Sequence, residues 1–283
     1  MAEPVLIMVA PNGARRTKKD HPALPVSIAE TARCAAECFA TGAGAIHTHI
    51  RDEHGRHVLE PEGYRDLIAA IGREAGPDLA VQITTEAVGR YTPAQQRSLV
   101  KAVHPDAVSI AIREMLPDPE PYSEACDFYA WCRLEQIGVQ HILYDLGDLE
   151  RLLALRTSGA LPDGPTAILM VLGRYADEHT SNPAELMAFA ARLHEAGDAD
   201  LIGMVCAFGK GERAALATAL GLGLHARVGF ENSIVDPHGR PIASNSISVA
   251  QVAGIAEVLG RSRVEGHRAL EMLGRTGHPS AAQ

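Results

Sequence analysis

Short apolar runs alternate with amphipathic stretches along the whole chain, and this rhythm restricts the fold more than any other feature. Residues 5–10 (VLIMVA) read as a buried strand that Pro11-Asn12-Gly13 breaks. Ser27, with Glu30 three residues on, reads as a capping box opening a helix to about Ala40. Further strand runs fall at 43–50, 79–84, 107–112, 139–144, 166–172, 201–206 and 224–230. Helices are expected at 61–74, 92–104, 121–136, 148–157, after Asn182-Pro183, and at 212–220 and 246–259, with a last short one near 264–273. Strand–helix pairs at spacings of roughly 30 residues predict a closed (β/α)8 barrel of the TIM type with an extra C-terminal helix. One domain is expected to occupy residues 1–283. An open doubly wound sheet would give the same alternation. No Gly-x-Gly-x-x-Gly follows the first strand, which argues against its dinucleotide-binding form.

Composition sets the remaining bounds. A chain of 283 residues with 46% hydrophobic content is long enough to bury one large core. The net charge of −9 argues against nucleic-acid and anionic-membrane partners, which favour basic surfaces. The 5 cysteines are odd in number and include no Cys-x-x-Cys, which reads as reduced thiols in the cytoplasm. The apolar run at 5–10 is too short for a signal-peptide core or a membrane span. A small-molecule substrate is the expected partner.

The second strand carries Gly44-Ala45-Ile46-His47-Thr48-His49-Ile50-Arg51-Asp52. At i, i+2 in a strand, His47 and His49 share a face. Along the eighth run His225, Arg227, Gly229 and Glu231 also share a face, with Glu231 at the C-terminal end. In a closed barrel only the first strand separates the second from the eighth. His47, His49 and Glu231 can then converge on one ion above the strand ends, where barrels of this kind carry their chemistry. Two imidazoles and one carboxylate leave a coordination position open, the catalytic rather than the structural pattern. Zn2+ is the first expectation, with manganese, nickel, cobalt and iron open. Taken alone, a His-x-His among 13 histidines is a weak signal, and a strand-end glutamate is ordinarily a solvated rim residue.

His47-Thr48-His49-Ile50-Arg51-Asp52 together with Gly223-Leu224-His225-Ala226-Arg227-Val228-Gly229-Phe230-Glu231-Asn232 resembles the β-keto acid cleavage enzymes, whose best-known type is the 3-keto-5-aminohexanoate cleavage enzyme. Ala10-Pro11-Asn12-Gly13-Ala14, His21-Pro22-Ala23-Leu24-Pro25 and Ser244-Asn245 are similar to that family too. The resemblance implies a zinc-dependent barrel, a homotetramer, and an acyl exchange in which a β-keto acid and acetyl-CoA give acetoacetate and a new acyl-CoA. It implies His47, His49 and Glu231 as metal ligands and Arg227 as the arginine beside the metal. Thr84 falls where the family has a serine near the substrate, and the position of Asn232 belongs to the same catalytic group. Thr85, Ser109, Asn12 and Arg15 are the expected substrate contacts. Gly209-Lys210-Gly211 could offer N–H groups and a cation to a CoA phosphate, but a plain β–α turn is the stronger reading.

The chain departs from the family type at three places. Asn232 replaces an aspartate, and an amide is no general base at neutral pH. Val139-Gln140-His141-Ile142 lacks the carboxylates of the family's fifth strand. Arg15 stands where the aminohexanoate enzymes place a glutamate for an ammonium group, so a neutral or anionic substrate tail is expected. Glu86, His141, Asp145 and a metal-bound water are candidates for the missing base. A zinc-dependent barrel hydrolase or aldolase, or a metal-containing binding protein without turnover, would carry the same histidine pair.

Overall fold

Ser27 and Thr92 each close a reciprocal capping box, with Glu30 and Gln95 respectively, and so start two of the helices expected from sequence. The structure is a computed structural model and describes residues 2–117, 122–174 and 180–277. In chain order the elements are β1 (Ile7–Val9), α1 (Ile28–Ala40), β2 (Ala45–Thr48), β3 (Ile50–Arg51), β4 (His57–Val58), α2 (Pro61–Ala75) and β5 (Ala80–Thr84). There follow α3 (Pro93–Val103), β6 (Ala107–Ala111), α4 (Ile112–Met115), α5 (Ser123–Leu134), β7 (Gly138–Leu143) and α6 (Leu146–Thr157). The chain continues with β8 (Thr166–Leu172), α7 (Ala184–Ala196), β9 (Leu201–Ala207), α8 (Glu212–Gly221), β10 (His225–Val228), α9 (Asn245–Val258) and α10 (Gly266–Met272).

Eight of the strands are parallel and close into a barrel in the order β1-β10-β9-β8-β7-β6-β5-β2. The first strand is the seam. It pairs with β10 through Ile7↔Ala226 and Val9↔Val228, and with β2 through Met8↔Ala45 and Val9↔Ile46. The larger apolar cluster lies between barrel and helices, and includes Ile46, Tyr64, Leu67, Phe128 and Leu216. Each fully buried side chain of this size contributes about 1.5–3 kcal/mol. A second cluster joins Leu6, Met8, Ala45, Ala80 and Leu169 to Val264, Ala269 and Leu273, so the segment carrying α10 packs at the strand starts.

Three sequence expectations need correction. The second strand does not run to Ile50: β2 stops at Thr48, and Ile50–Arg51 pairs antiparallel with His57–Val58 as a small hairpin. The eighth strand stops at Val228, so Glu231 is not on it. Ile112 leaves the fourth strand to open α4. Pro121, where the helix before β7 was expected to begin, lies outside the described residues. Among the described residues no helix is long and apolar enough to cross a membrane.

Below the barrel, Arg261 ties the segment before β1 to the turn between α8 and β10. Its guanidinium donates to the carbonyls of Glu3 (3.0 Å), Pro4 (3.2 Å), Leu220 (2.9 Å), Gly223 (2.9 Å) and Leu224 (2.7 Å).

Candidate metal centre

His47 ends the inward face of β2 and His49 lies one residue beyond the strand. Glu231 reaches them from a turn rather than from β10. That turn is held by Glu231 N–H donating to Ala10 O (3.0 Å) and Asn232 N–H donating to Gly229 O (2.8 Å). Arg16, from the loop after β1, donates to the carbonyls of Phe230 and Glu231. Gly13 lies against Glu231 itself: a Cβ there would sit 2.6 Å from Glu231 Cγ. Glu231 is thus placed by backbone and loop contacts, and it meets the two histidines from a turn rather than from the strand face that period two implied.

The three donor atoms form a near-equilateral triangle. His47 Nε2 is 3.1 Å from His49 Nε2 and 3.6 Å from Glu231 Oε2, and His49 Nε2 is 3.4 Å from that oxygen. Tetrahedral ligands at metal bonds of about 2.0–2.2 Å stand about 3.3–3.5 Å apart. Among the described residues this is the one group of histidine, cysteine, aspartate and glutamate so arranged. Burial lowers His47 to about 4 and His49 to about 3, so both imidazoles are neutral at pH 7, the form that binds metal. Burial pushes the Glu231 carboxyl up, but Arg227 and the two histidines outweigh it and hold it well below the usual range. Arg227 Nη2 donates to Glu231 Oε1 (3.1 Å), whereas Oε2 is buried without a hydrogen-bond partner. An ionised, partly unpartnered carboxylate beside two neutral imidazoles suits a divalent cation, and the residues present fit one.

Thr84 joins His47, Glu86, Ile142, Tyr144 and Arg227 around a small cavity of about 30 Å³. Asn12 and Arg15 line a second cavity of about 160 Å³ with Arg16, Glu86, Arg174, Phe208 and Glu231. Asn12 Nδ2 donates to His49 O (3.0 Å), leaving its Oδ1 unpartnered. Ser109 pairs in register with Thr84 and Gln140 and is buried, its hydroxyl unpartnered. Thr85 donates its hydroxyl to Ser109 O (3.1 Å) and lies outside both cavities. Asn232 is fully buried beside Glu231, and its side-chain amide has no hydrogen-bond partner. Gly209–Gly211 is a 3-10 turn into α8, with Gly209 N–H donating to Asn232 O (3.3 Å), the plain-turn reading.

Two of the candidate bases are elsewhere. His141 packs against Tyr129 of α5, ring centroids 5.2 Å apart, and so faces away from the mouth. Asp145 caps α6 by accepting from Asp148 N–H and is paired with Arg113 at 2.7 Å. Glu86 does line the site. Its Oε2 is 3.9 Å from His49 Nδ1 and its Oε1 is 3.6 Å from Arg174, while burial and the nearby Glu231 charge raise it to about 7. Arg174 and Phe208 were not anticipated. Both follow directly on barrel strands, β8 and β9, and that position was the available signal.

The family profile described as beta-keto acid cleavage enzyme matches residues 4–274. The 3-oxoadipate:acetyl-CoA acetyltransferase of Cupriavidus necator is 26% identical, over 97% of this chain and 96% of its own. The 3-keto-5-aminohexanoate cleavage enzyme of Fusobacterium nucleatum is also 26% identical, over 96% of this chain and 98% of its own. Among solved structures, the binary complex of ObcA with oxaloacetate superposes with a TM-score of 0.74 at 15% identity, covering 90% of this chain and 68% of that one. This last likeness is one of fold.

Proposed function

Because the chain belongs to the beta-keto acid cleavage enzyme family, we propose that it exchanges acyl groups between a β-keto acid and acetyl-CoA. The bond between the β-carbonyl carbon and the CH2–carboxylate unit breaks. The acetyl group joins that unit to give acetoacetate, and the remaining acyl group leaves on the CoA sulfur. The observation that carries the reading is the His47–His49–Glu231 triangle at the mouth of a barrel of this family. A divalent ion held there, zinc first, would supply Lewis acidity toward the ketone and carboxylate oxygens of the keto acid.

The chain's own residues take the other roles. Arg227 orients Glu231 through its 3.1 Å bond and adds positive charge beside the site. Thr84 lines the wall next to His47. Asn12 ties the β1 loop to the backbone of His49. With Asn232 an amide, Glu86 is assigned the proton-acceptor position on geometry, as the other carboxylate facing the cavity. Ser109 is retained as an interior contact. Thr85 acts through its bond to Ser109 O.

Arg15, Arg16 and Arg174 line the larger cavity together with Glu86 and Glu231, and the three cations support a substrate with a neutral or anionic tail. Dicarboxylic and neutral β-keto acids should therefore outperform 3-keto-5-aminohexanoate. Arg15→Glu should shift kcat/KM between the two classes by about five- to tenfold toward the amino substrate. Equal or better use of the amino substrate by the unaltered enzyme would refute the tail assignment.

The deciding assay is acetyl-CoA-dependent acetoacetate release from a panel of β-keto acids, with metal analysis of the same preparation. A hydrolase or aldolase would turn over without CoA, and a binding protein would release nothing. The cytoplasmic homotetramer implied by the resemblance belongs to the same proposal. Light scattering at four times the 30.1 kDa chain mass agrees with the tetramer, and a monomer does not.

A further inference from the structure

Four buried side chains cross the barrel interior from β9 to the first histidine. Gln140 Nε2 is 3.5 Å from Met204 Sδ, Gln82 Nε2 is 3.2 Å from Gln140 Oε1, and Gln82 Oε1 is 2.8 Å from His47 Nδ1. Gln82 and Gln140 are fully buried, and Met204 and His47 nearly so. The chain has a direction, and chemistry fixes it at the methionine end. A thioether carries lone pairs and no proton, so it can only accept. Gln140 therefore turns its NH2 group to Met204 and its carbonyl to Gln82. Two amide carbonyls do not face one another, so Gln82 turns its NH2 group to Gln140 and its carbonyl to His47. A carbonyl also only accepts, and the proton must then lie on Nδ1.

We propose that Gln82, Gln140 and Met204 are positioning residues that lock His47 in the Nδ1–H tautomer. The Nε2 lone pair is thereby left facing His49 Nε2 and Glu231 Oε2. Reversing both amides would turn His47 to the other tautomer, but it would aim the Gln140 carbonyl at the sulfur lone pairs, in a buried place where unpaired polar groups are costly. His49 has no such lock. Its Nδ1 lacks a hydrogen-bond partner, and the nearest carboxylate oxygen, Glu86 Oε2, is 3.9 Å away. The first imidazole is set before an ion arrives, and the second is not.

The donor role of Nε2 rests on the metal reading above, whereas the tautomer can be measured independently of it. The test is 15N NMR of histidine-labelled protein as purified, after chelation, and after reloading with zinc, with the His47 signals identified by their loss in His47→Asn. The expected result is a proton on Nδ1 of His47 in every state. Gln82→Leu should move it toward Nε2 and weaken zinc binding 10–100-fold in competition with a chromophoric chelator. Gln140→Leu should act in the same direction and Met204→Leu more weakly. A wild-type proton on Nε2 overturns the proposal. So does a Gln82→Leu protein with tautomer and zinc affinity both unchanged. Should Gln82→Leu fail to fold, the wild-type spectrum and Gln140→Leu decide. A proton on Nδ1 in a chain that takes up no zinc supports the lock and sinks the metal reading instead.

Discussion

Gly13 satisfies two demands at one position. Its φ of +62° favours glycine, and a side chain there would collide with Glu231. Gly55 provides the control, with a φ of +75° and nothing within 4 Å of where its Cβ would lie. Gly55→Ala should cost about 1 kcal/mol and leave metal affinity unchanged. Gly13→Ala should cost more than that in denaturant melts and, if the proposed metal site holds zinc, also weaken its binding by about tenfold, because it displaces Glu231. Equal behaviour of the two variants would refute the contact. His49→Ala is the coarser test: with two ligands left, metal analysis should find a small fraction of the wild-type content. Full occupancy in that variant would count against the site.

At the scale of elements, β7 meets α5 through a histidine that stays neutral in the native fold until the pH falls to about 4. Burial lowers His141 to about 4, with Arg156 acting in the same direction, and its Nδ1 has no partner where it packs on Tyr129. Above pH 6.5 the group is neutral in both states and contributes no pH dependence. As pH falls from 6.5 toward 4 the unfolded chain takes up a proton that the native chain refuses, so stability drops, by at most about 3 kcal/mol from this group. Below 4 both states are protonated and the loss is complete. In His141→Leu the denaturation midpoint should fall less steeply over that window, and an unchanged slope would show that the histidine is not held neutral. The same residue marks a limit of sequence reading. Period two shows that neighbouring strand residues face opposite ways, but the absolute inside and outside of β7 come from pairing. Here Gln140 bonds Gln82 within the barrel and His141 turns outward. The apolar runs of the eight barrel strands were legible because each is flanked by turn residues and amphipathic helices. The β3–β4 hairpin was not, because two-residue strands around Asp52-Glu53-His54-Gly55-Arg56 carry no period. His47, His49 and Glu231 could be read because their chemistry is unusual in an apolar setting. Gln82 and Gln140 acquire meaning from register across β5, β6 and β7, which the sequence does not print.

For the whole molecule, closure depends on the seam at β1 and on Arg261 beneath it. Arg261→Met would leave five carbonyls from two segments, residues 3–4 and 220–224, without their shared donor. Charge-assisted bonds of this kind contribute about 1.5–3 kcal/mol net, and an orphaned carbonyl adds a desolvation cost. The melting temperature should fall by about 5–10 °C, while kcat of the folded enzyme stays near wild type because the strand-end face is untouched. A changed kcat at unchanged melting temperature would contradict this division. The seam also sets an order of events during synthesis. While the chain is still emerging from the ribosome, β1 has one neighbour, and its other edge stays open until β10 has been made. The ligand set straddles that same gap, with the imidazoles on the early side and Glu231 on the late side. A nascent chain therefore holds two histidines and an unpaired strand edge until residues 225–231 have been made. Ring closure by β10 and arrival of Glu231 are separated by three residues, so under the proposed metal reading an unfinished chain lacks the third donor of the triangle.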